Sequence, residues 1–155
     1  MTPDTAFDAR RRRLLAAGAG LGLIVIARPL LAAPDSLAQA IAAFAGDRPV
    51  TAARVVLDVA TLVDNGNTVP ISVTVDSPMT AASHVTAIAV FNERNPQRDV
   101  ARFLLTQRSG RAHVSTRIRL ATSQKLTAVA CMNDGSFWSQ TVDIVVTLAA
   151  CIEGD

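Results

Sequence analysis

Two cysteines and two histidines carry most of the reactive chemistry in this 155-residue chain, and their spacing limits what that chemistry is. His84 and His113 fall on different strand-like segments, while Cys131 and Cys151 are separated by the last turn and the last strand-like run. No Cys-x-x-Cys, His-Glu-x-x-His or Gly-x-Ser-x-Gly pattern accompanies them, nor any phosphate-binding or dinucleotide-binding glycine loop. Zinc sites bring ligands in close pairs, and these four residues have no such spacing. We therefore expect no metal, no cofactor and no catalytic residue, and hence no enzyme. Cys151 is the exception to follow. It ends the apolar run Val145-Val146-Thr147-Leu148-Ala149-Ala150 and is followed by Ile152-Glu153-Gly154-Asp155. A thiol on a short tail can be carried into another protein's active site; the competing reading is a thiol packed at a strand end. A free thiol titrates near about 8.5 and is only a few per cent thiolate at neutral pH. Glu153 and Asp155 would raise that value further, so the chain offers a nucleophile without the groups that activate it.

The elements that position these residues show in the periodicity. Leu37, Ile41 and Phe44 recur at helical spacing, with Asp35 or Ser36 as N-cap and Gly46 as stop, which predicts one short amphipathic helix. Beyond Arg54 the pattern alternates in twos. Val69, Ile71, Val73 and Val75 share one face, and Ala112, Val114, Thr116, Ile118 and Leu120 alternate with Arg111, His113, Ser115, Arg117 and Arg119. Seven strands are expected, near 54–59, 69–75, 84–91, 100–106, 111–120, 125–132 and 137–149. Asn65-Gly66, Ser77-Pro78, Asn95-Pro96, Ser109-Gly110 and Asp134-Gly135 mark turns between them. That count predicts an all-β fold, an immunoglobulin-like antiparallel sandwich with a short N-terminal helix. Val85 to Val90 has no polar face, which implies a cover, either the helix or a partner subunit. His113 lies on a polar face and reads as solvated. Phe137 and Trp138 read as hairpin anchors in the core.

If Asn133–Ser136 closes a hairpin, residue 131 faces 138 and Cys151 lies 13 residues further along. At about 3.3 Å per residue that separates the thiols by roughly 43 Å, against a limit of about 7 Å between disulfide Cα atoms. An intrachain disulfide is not expected. Cys131 falls in phase with Lys125, Thr127 and Val129 on a partly buried face, with no role to assign.

Residues 1–33 read as an address rather than as fold. Arg10-Arg11-Arg12-Arg13 precedes an uncharged stretch from Leu14 to Ala27, softened by Gly18, Gly20 and Gly22 and followed by Ala32-Ala33. As a helix the stretch spans about 21 Å, short of the roughly 30 Å hydrocarbon core. The pattern is that of a twin-arginine secretory signal, with an uncleaved anchor as the alternative. The segment holds five of the 15 basic and two of the 13 acidic residues, leaving 10 against 11, or a net charge of −1 instead of +2. The basic balance of the whole chain is thus no evidence for a nucleic-acid partner. Seven arginines between Arg94 and Arg119 face only Asp99, and form either a solvated face or a docking surface for an anionic partner.

Several blocks in order, Asp64-Asn65-Gly66-Asn67-Thr68-Val69-Pro70, Asp76-Ser77-Pro78-Met79, Asn92-Glu93-Arg94-Asn95-Pro96, Ser115-Thr116-Arg117-Ile118-Arg119-Leu120-Ala121 and Asn133-Asp134-Gly135-Ser136-Phe137-Trp138, resemble the SoxY family. The resemblance implies a periplasmic sulfur carrier of a thiosulfate-oxidising system, with an immunoglobulin-like fold and a SoxZ-like subunit as heterodimer partner. It also implies partner enzymes: the c-type cytochrome SoxXA, the manganese hydrolase SoxB and, in some systems, a sulfur dehydrogenase. No nucleic acid and, after signal cleavage, no membrane is implied. By the same resemblance residues 34–148 form the domain, 149–155 form a cysteine-bearing arm, and Cys151 is the sulfur-attachment residue. The family's arm is Gly-Gly-Cys-Gly-Gly; here Ala149-Ala150 precede the cysteine and Ile152-Glu153 follow it. The substitution stiffens and thickens the arm, and motivates the alternative of a SoxY-like interaction module that binds its partner without carrying sulfur.

Overall fold

The computed structural model describes residues 36–148. The 1–33 signal and the 149–155 arm, Cys151 included, lie outside the described residues. Helix α1 spans Leu37–Ala45. Ser36 caps it by accepting a hydrogen bond from the Gln39 amide, while the Gln39 side chain returns a bond to the Ser36 amide. This reciprocal capping box leaves fewer orphan amides at the helix start. Gly46, in the left-handed region at φ 61°, ends the helix where the sequence places its stop.

Among the described residues nine strands follow: β1 (Val50–Ala52), β2 (Val55–Asp58), β3 (Leu62–Val63), β4 (Val69–Val75), β5 (Val85–Asn92), β6 (Asp99–Leu104), β7 (His113–Ile118), β8 (Gln124–Met132) and β9 (Phe137–Val146). The larger sheet runs β1-β9-β8-β5-β6, with β3 also on β9, and the smaller runs β2-β4-β7. The sheets face each other, and their inner residues build the main core. Ile71, Val73 and Val75 from β4 meet Ile88 and Val90 from β5, Leu126, Ala128 and Ala130 from β8, and Ile144 from β9. Burial of such side chains contributes roughly 1.5–3 kcal/mol each for the larger ones. The sandwich expected from the alternation is therefore the fold.

The seven expected strands are all present with ends shifted by a few residues, and two more join them. β1 and β3 were not foreseen. Each is two or three residues long, too short to show a period, and each pairs parallel with β9 rather than with a sequence neighbour. The arrangement is thus not wholly antiparallel.

A second core lies on the outer side of the large sheet, where Ala45, Ala89, Phe91, Val129 and Phe137 pack with Leu37, Ile41 and Phe44 of α1. Phe44 sits 5.8 Å from Phe91 and 5.7 Å from Phe137 between ring centroids, the latter edge-on. This explains the missing polar face of β5: the helix is its cover over Ala89 and Phe91. Phe137 anchors the helix-side core, as expected of a hairpin anchor. Trp138 points the other way, packs against the main core, and lies beneath the Arg54 guanidinium at 5.2 Å.

The β8–β9 hairpin corrects the expected register by one residue. Cys131 faces Phe137 and Ala130 faces Trp138. The reason is a three-residue loop, Asn133-Asp134-Gly135: the Met132 amide donates to the Ser136 carbonyl at 2.9 Å, and Gly135 takes φ 81°. With this register β9 leads away from Cys131, and Cys151 lies outside the described residues.

Candidate functional site: the end of β9 and the two thiols

β9 carries the chain towards Cys151, and the structure shows how far that path is held. Along one edge β9 pairs with β8 from Gln124–Ile144 to Cys131–Phe137. Along the other, β1 holds its start and β3 its end, with Leu62 beside Val145 and Val63 beside Val146. Three backbone bonds fasten the exit: the Val145 amide to the Thr61 carbonyl at 2.8 Å, Thr147 to Val63 at 3.0 Å, and Gly66 to Leu148 at 2.9 Å. The Thr147 hydroxyl adds a bond to the Asp64 carbonyl at 3.1 Å. Gly66 in turn accepts from the Leu120 amide at 2.8 Å, which ties the holding loop to the body. The chain is therefore pinned through Leu148, three residues before Cys151.

This holding segment escaped the sequence reading. The Asn65-Gly66 turn was visible, and its Asn65 side chain does accept from the Asn67 amide at 2.9 Å. That Leu62-Val63 would reach a strand some 80 residues away leaves no local signal.

Cys131 stands half-buried on the helix-side face and is free. Its thiol donates a hydrogen bond to its neighbour's carbonyl, Met132 O at 3.5 Å, and its carbonyl accepts from the Thr86 hydroxyl at 3.1 Å. The side-chain hydrogen bonds of the histidines go elsewhere. His113 Nδ1 meets the exposed Thr74 hydroxyl at 2.9 Å, and His84 Nδ1 meets the Thr80 carbonyl at 3.0 Å. Among the described residues no three His, Cys, Asp or Glu side chains gather to hold a metal ion.

The arginine run divides. Arg102 pairs with Asp99 at 2.6 Å and covers the Phe44 ring, Arg94 lies 3.8 Å from Glu93, and Arg98 bonds the Asn95 carbonyl. Arg111, Arg117 and Arg119 are exposed on and beside β7, an edge of the small sheet, where charge discourages pairing with a foreign strand. One carboxylate is electrostatically distinct. Asp134 accepts from the Ser136 hydroxyl at 2.7 Å and its amide at 2.8 Å, and these bonds hold its carboxyl below the ordinary value. No helix among the described residues is long and apolar enough to cross a membrane.

Comparison with known proteins decides what this architecture is. The family described as sulfur oxidation protein SoxY matches residues 41–151, a stretch whose last residue is Cys151. The chain belongs to the SoxY family. Among solved structures it is similar to the sulfur carrier protein SoxY from Chlorobium limicola f thiosulfatophilum, at 27% identity and a TM-score of 0.62. That alignment covers 74% of this chain and 98% of the other. A superoxide reductase (neelaredoxin) from Ignicoccus hospitalis aligns at 17% identity, TM-score 0.55, over 61% of this chain and 80% of its own. One from Nanoarchaeum equitans aligns at 12%, TM-score 0.53, over 62% and 100%. The last two likenesses concern the fold alone. None of the curated proteins matches the chain in sequence. As a SoxY-family protein it has the sandwich architecture that the ordered sequence blocks imply.

Proposed function

We propose that this SoxY-family protein is a periplasmic sulfur carrier in which Cys151 holds the sulfur adduct and partner enzymes do the chemistry. The observation that carries the reading is a match to the family that runs through Cys151, joined to a strand pinned until three residues before it. A body that fixes the strand and leaves its extension to present one thiol suits delivery better than catalysis. On this reading residues 1–33 are the twin-arginine signal, 34–148 the domain and 149–155 the arm.

The chemistry defines the partners. Joining the Cys151 thiol to the outer sulfur of thiosulfate forms an S–S bond and releases one proton and two electrons, so an oxidant is required. A c-type cytochrome of the SoxXA kind meets that need. Hydrolysis of the S–sulfonate bond then consumes water, releases sulfate and leaves the outer sulfur on Cys151 as a persulfide, the step assigned to a SoxB-like hydrolase. A sulfur dehydrogenase would oxidise the remaining sulfur, and a SoxZ-like subunit would complete the carrier. A thiol of ordinary pKa is mostly protonated at neutral pH, so activation falls to the partner's site. Incubation with isotopically labelled thiosulfate and active partner enzymes is expected to add the adduct mass at Cys151. No gain there, with the same enzymes loading another carrier, overturns the reading.

A second reading rests on the arm itself. Ala149-Ala150 and Ile152-Glu153 stand where the family has glycines. A non-carrying member that keeps its partner-binding face would tolerate that change. It predicts normal sulfur oxidation by Cys151→Ser in cells lacking other carriers, whereas the carrier reading predicts none.

A further inference from the structure

Exposed apolar residues concentrate at the exit of β9. Among the described residues five large hydrophobic side chains are more than half exposed, and three of them, Leu62 at 60%, Val145 at 53% and Leu148 at 61%, belong to the segment that pins the chain. Leu62 and Val145 are register partners on adjacent strands. Leu148 follows three residues on, its carbonyl bonded to Gly66. Scattered surface leucines are ordinary, but three exposed apolar side chains on one segment fixed by backbone bonds make the kind of surface that a partner covers.

The length of chain beyond it says which partner. Three residues separate Leu148 from Cys151, and bond geometry limits their span to about 10–11 Å. Any protein that takes a group from Cys151 must bring its reacting atoms within that distance of Leu148, extended by the few ångströms of the cysteine side chain and its adduct. Its surface around the entrance then comes close to these exposed residues. Asp64, exposed beside Thr147, puts negative charge next to them, and in the sequence Glu153 follows two residues after the thiol. We propose that Leu62, Val145 and Leu148 form an apolar collar on which cargo-exchanging enzymes seat, and that the entrances of those enzymes carry an apolar rim flanked by cations. The inference rests on the carrier reading of Cys151.

The test uses the full secreted chain, thiosulfate, and the cytochrome and hydrolase partners. L62E/L148E is expected to lower kcat/KM for loading by about tenfold or more, through KM, because truncated or charged anchors at a docking centre commonly cost that much. Its thermal melt and the rate at which a small alkylating reagent modifies Cys151 should match wild type. Val56→Glu, an equally exposed change on the smaller sheet, should leave loading unaltered. If L62E/L148E does not fold, Leu62→Ser is judged by the same direction of change in KM. Folded collar variants loaded at the wild-type rate overturn the collar and leave the carrier reading standing. A wild-type dimer dispersed by the variants, with loading unchanged, also overturns it, in favour of a second copy as the occupant. A wild-type protein that is never loaded overturns the carrier reading, and the collar with it.

Discussion

Asp134 accepts two hydrogen bonds from Ser136, and in doing so it shapes the loop that sets the β8–β9 register. Because those bonds favour the charged form, its folded value is lowered from the ordinary 3.8. The stabilisation it lends is therefore complete above the unfolded value and disappears as pH falls through the lower folded one. Asp134→Ala is expected to melt at a lower temperature than wild type near pH 7, and the gap should close in strongly acidic buffer; thermal scans at both pH values check it. Gly135 beside it adopts φ 81°, a conformation that an added side chain strains. The sequence signal Asp134-Gly135 announced a turn there, yet not its length, and the one-residue error in facing Cys131 with Trp138 came from that. Loop length is a matter of which carbonyl closes the ladder, and no residue type encodes it alone.

Elements were legible in proportion to how long a period they carry. β4 and β7 alternate over six or seven residues, and their buried positions are the ones the alternation names. β5 reads differently because it is buried on both sides, by the opposing sheet and by α1. Sequence alone left open whether a helix or a subunit covers it, since amphipathic α1 says only that it buries one face, not against what. Phe44 is the residue that commits the helix, through Phe91 and Phe137. Phe44→Ala is expected to destabilise the domain by about 2–3 kcal/mol in urea titrations, below the roughly 3–5 kcal/mol of an aromatic truncated in a full core because Phe44 is half-buried. β1 and β3 stayed invisible for the opposite reason. Their stabilisation comes from a distant parallel partner, and two or three residues are not a pattern.

On the scale of the whole molecule, the candidate site has two parts that were not equally readable. The proposed thiol at Cys151 is read from its place at the end of a strand-like run and from ordered family blocks, and it lies outside the described residues. The body that holds it, the Leu62–Gly66 segment clasping Val145–Leu148, is a product of topology. The division of labour suggests where the arm's composition should matter. Replacing Ala149, Ala150 and Ile152 by glycine removes bulk beside the sulfur without touching the described domain. It is expected to raise the enzymatic loading rate several-fold while leaving the melting temperature unchanged, as stopped-flow loading assays and thermal scans would show. An unchanged rate would mean that the alanines already pass the partner's entrance.

β9 also bears on how the domain would meet a force on the proposed arm. A pull on the end of β9 along its axis meets bonds to β8, β1 and β3 that run across it. The load is thus shared in shear by the whole ladder instead of peeling one bond after another. The clasp at Leu148 is the first to feel it, and behind it stands a ten-residue strand flanked on both edges. Such a mooring would let the proposed arm be gripped and released while the sandwich itself keeps its shape.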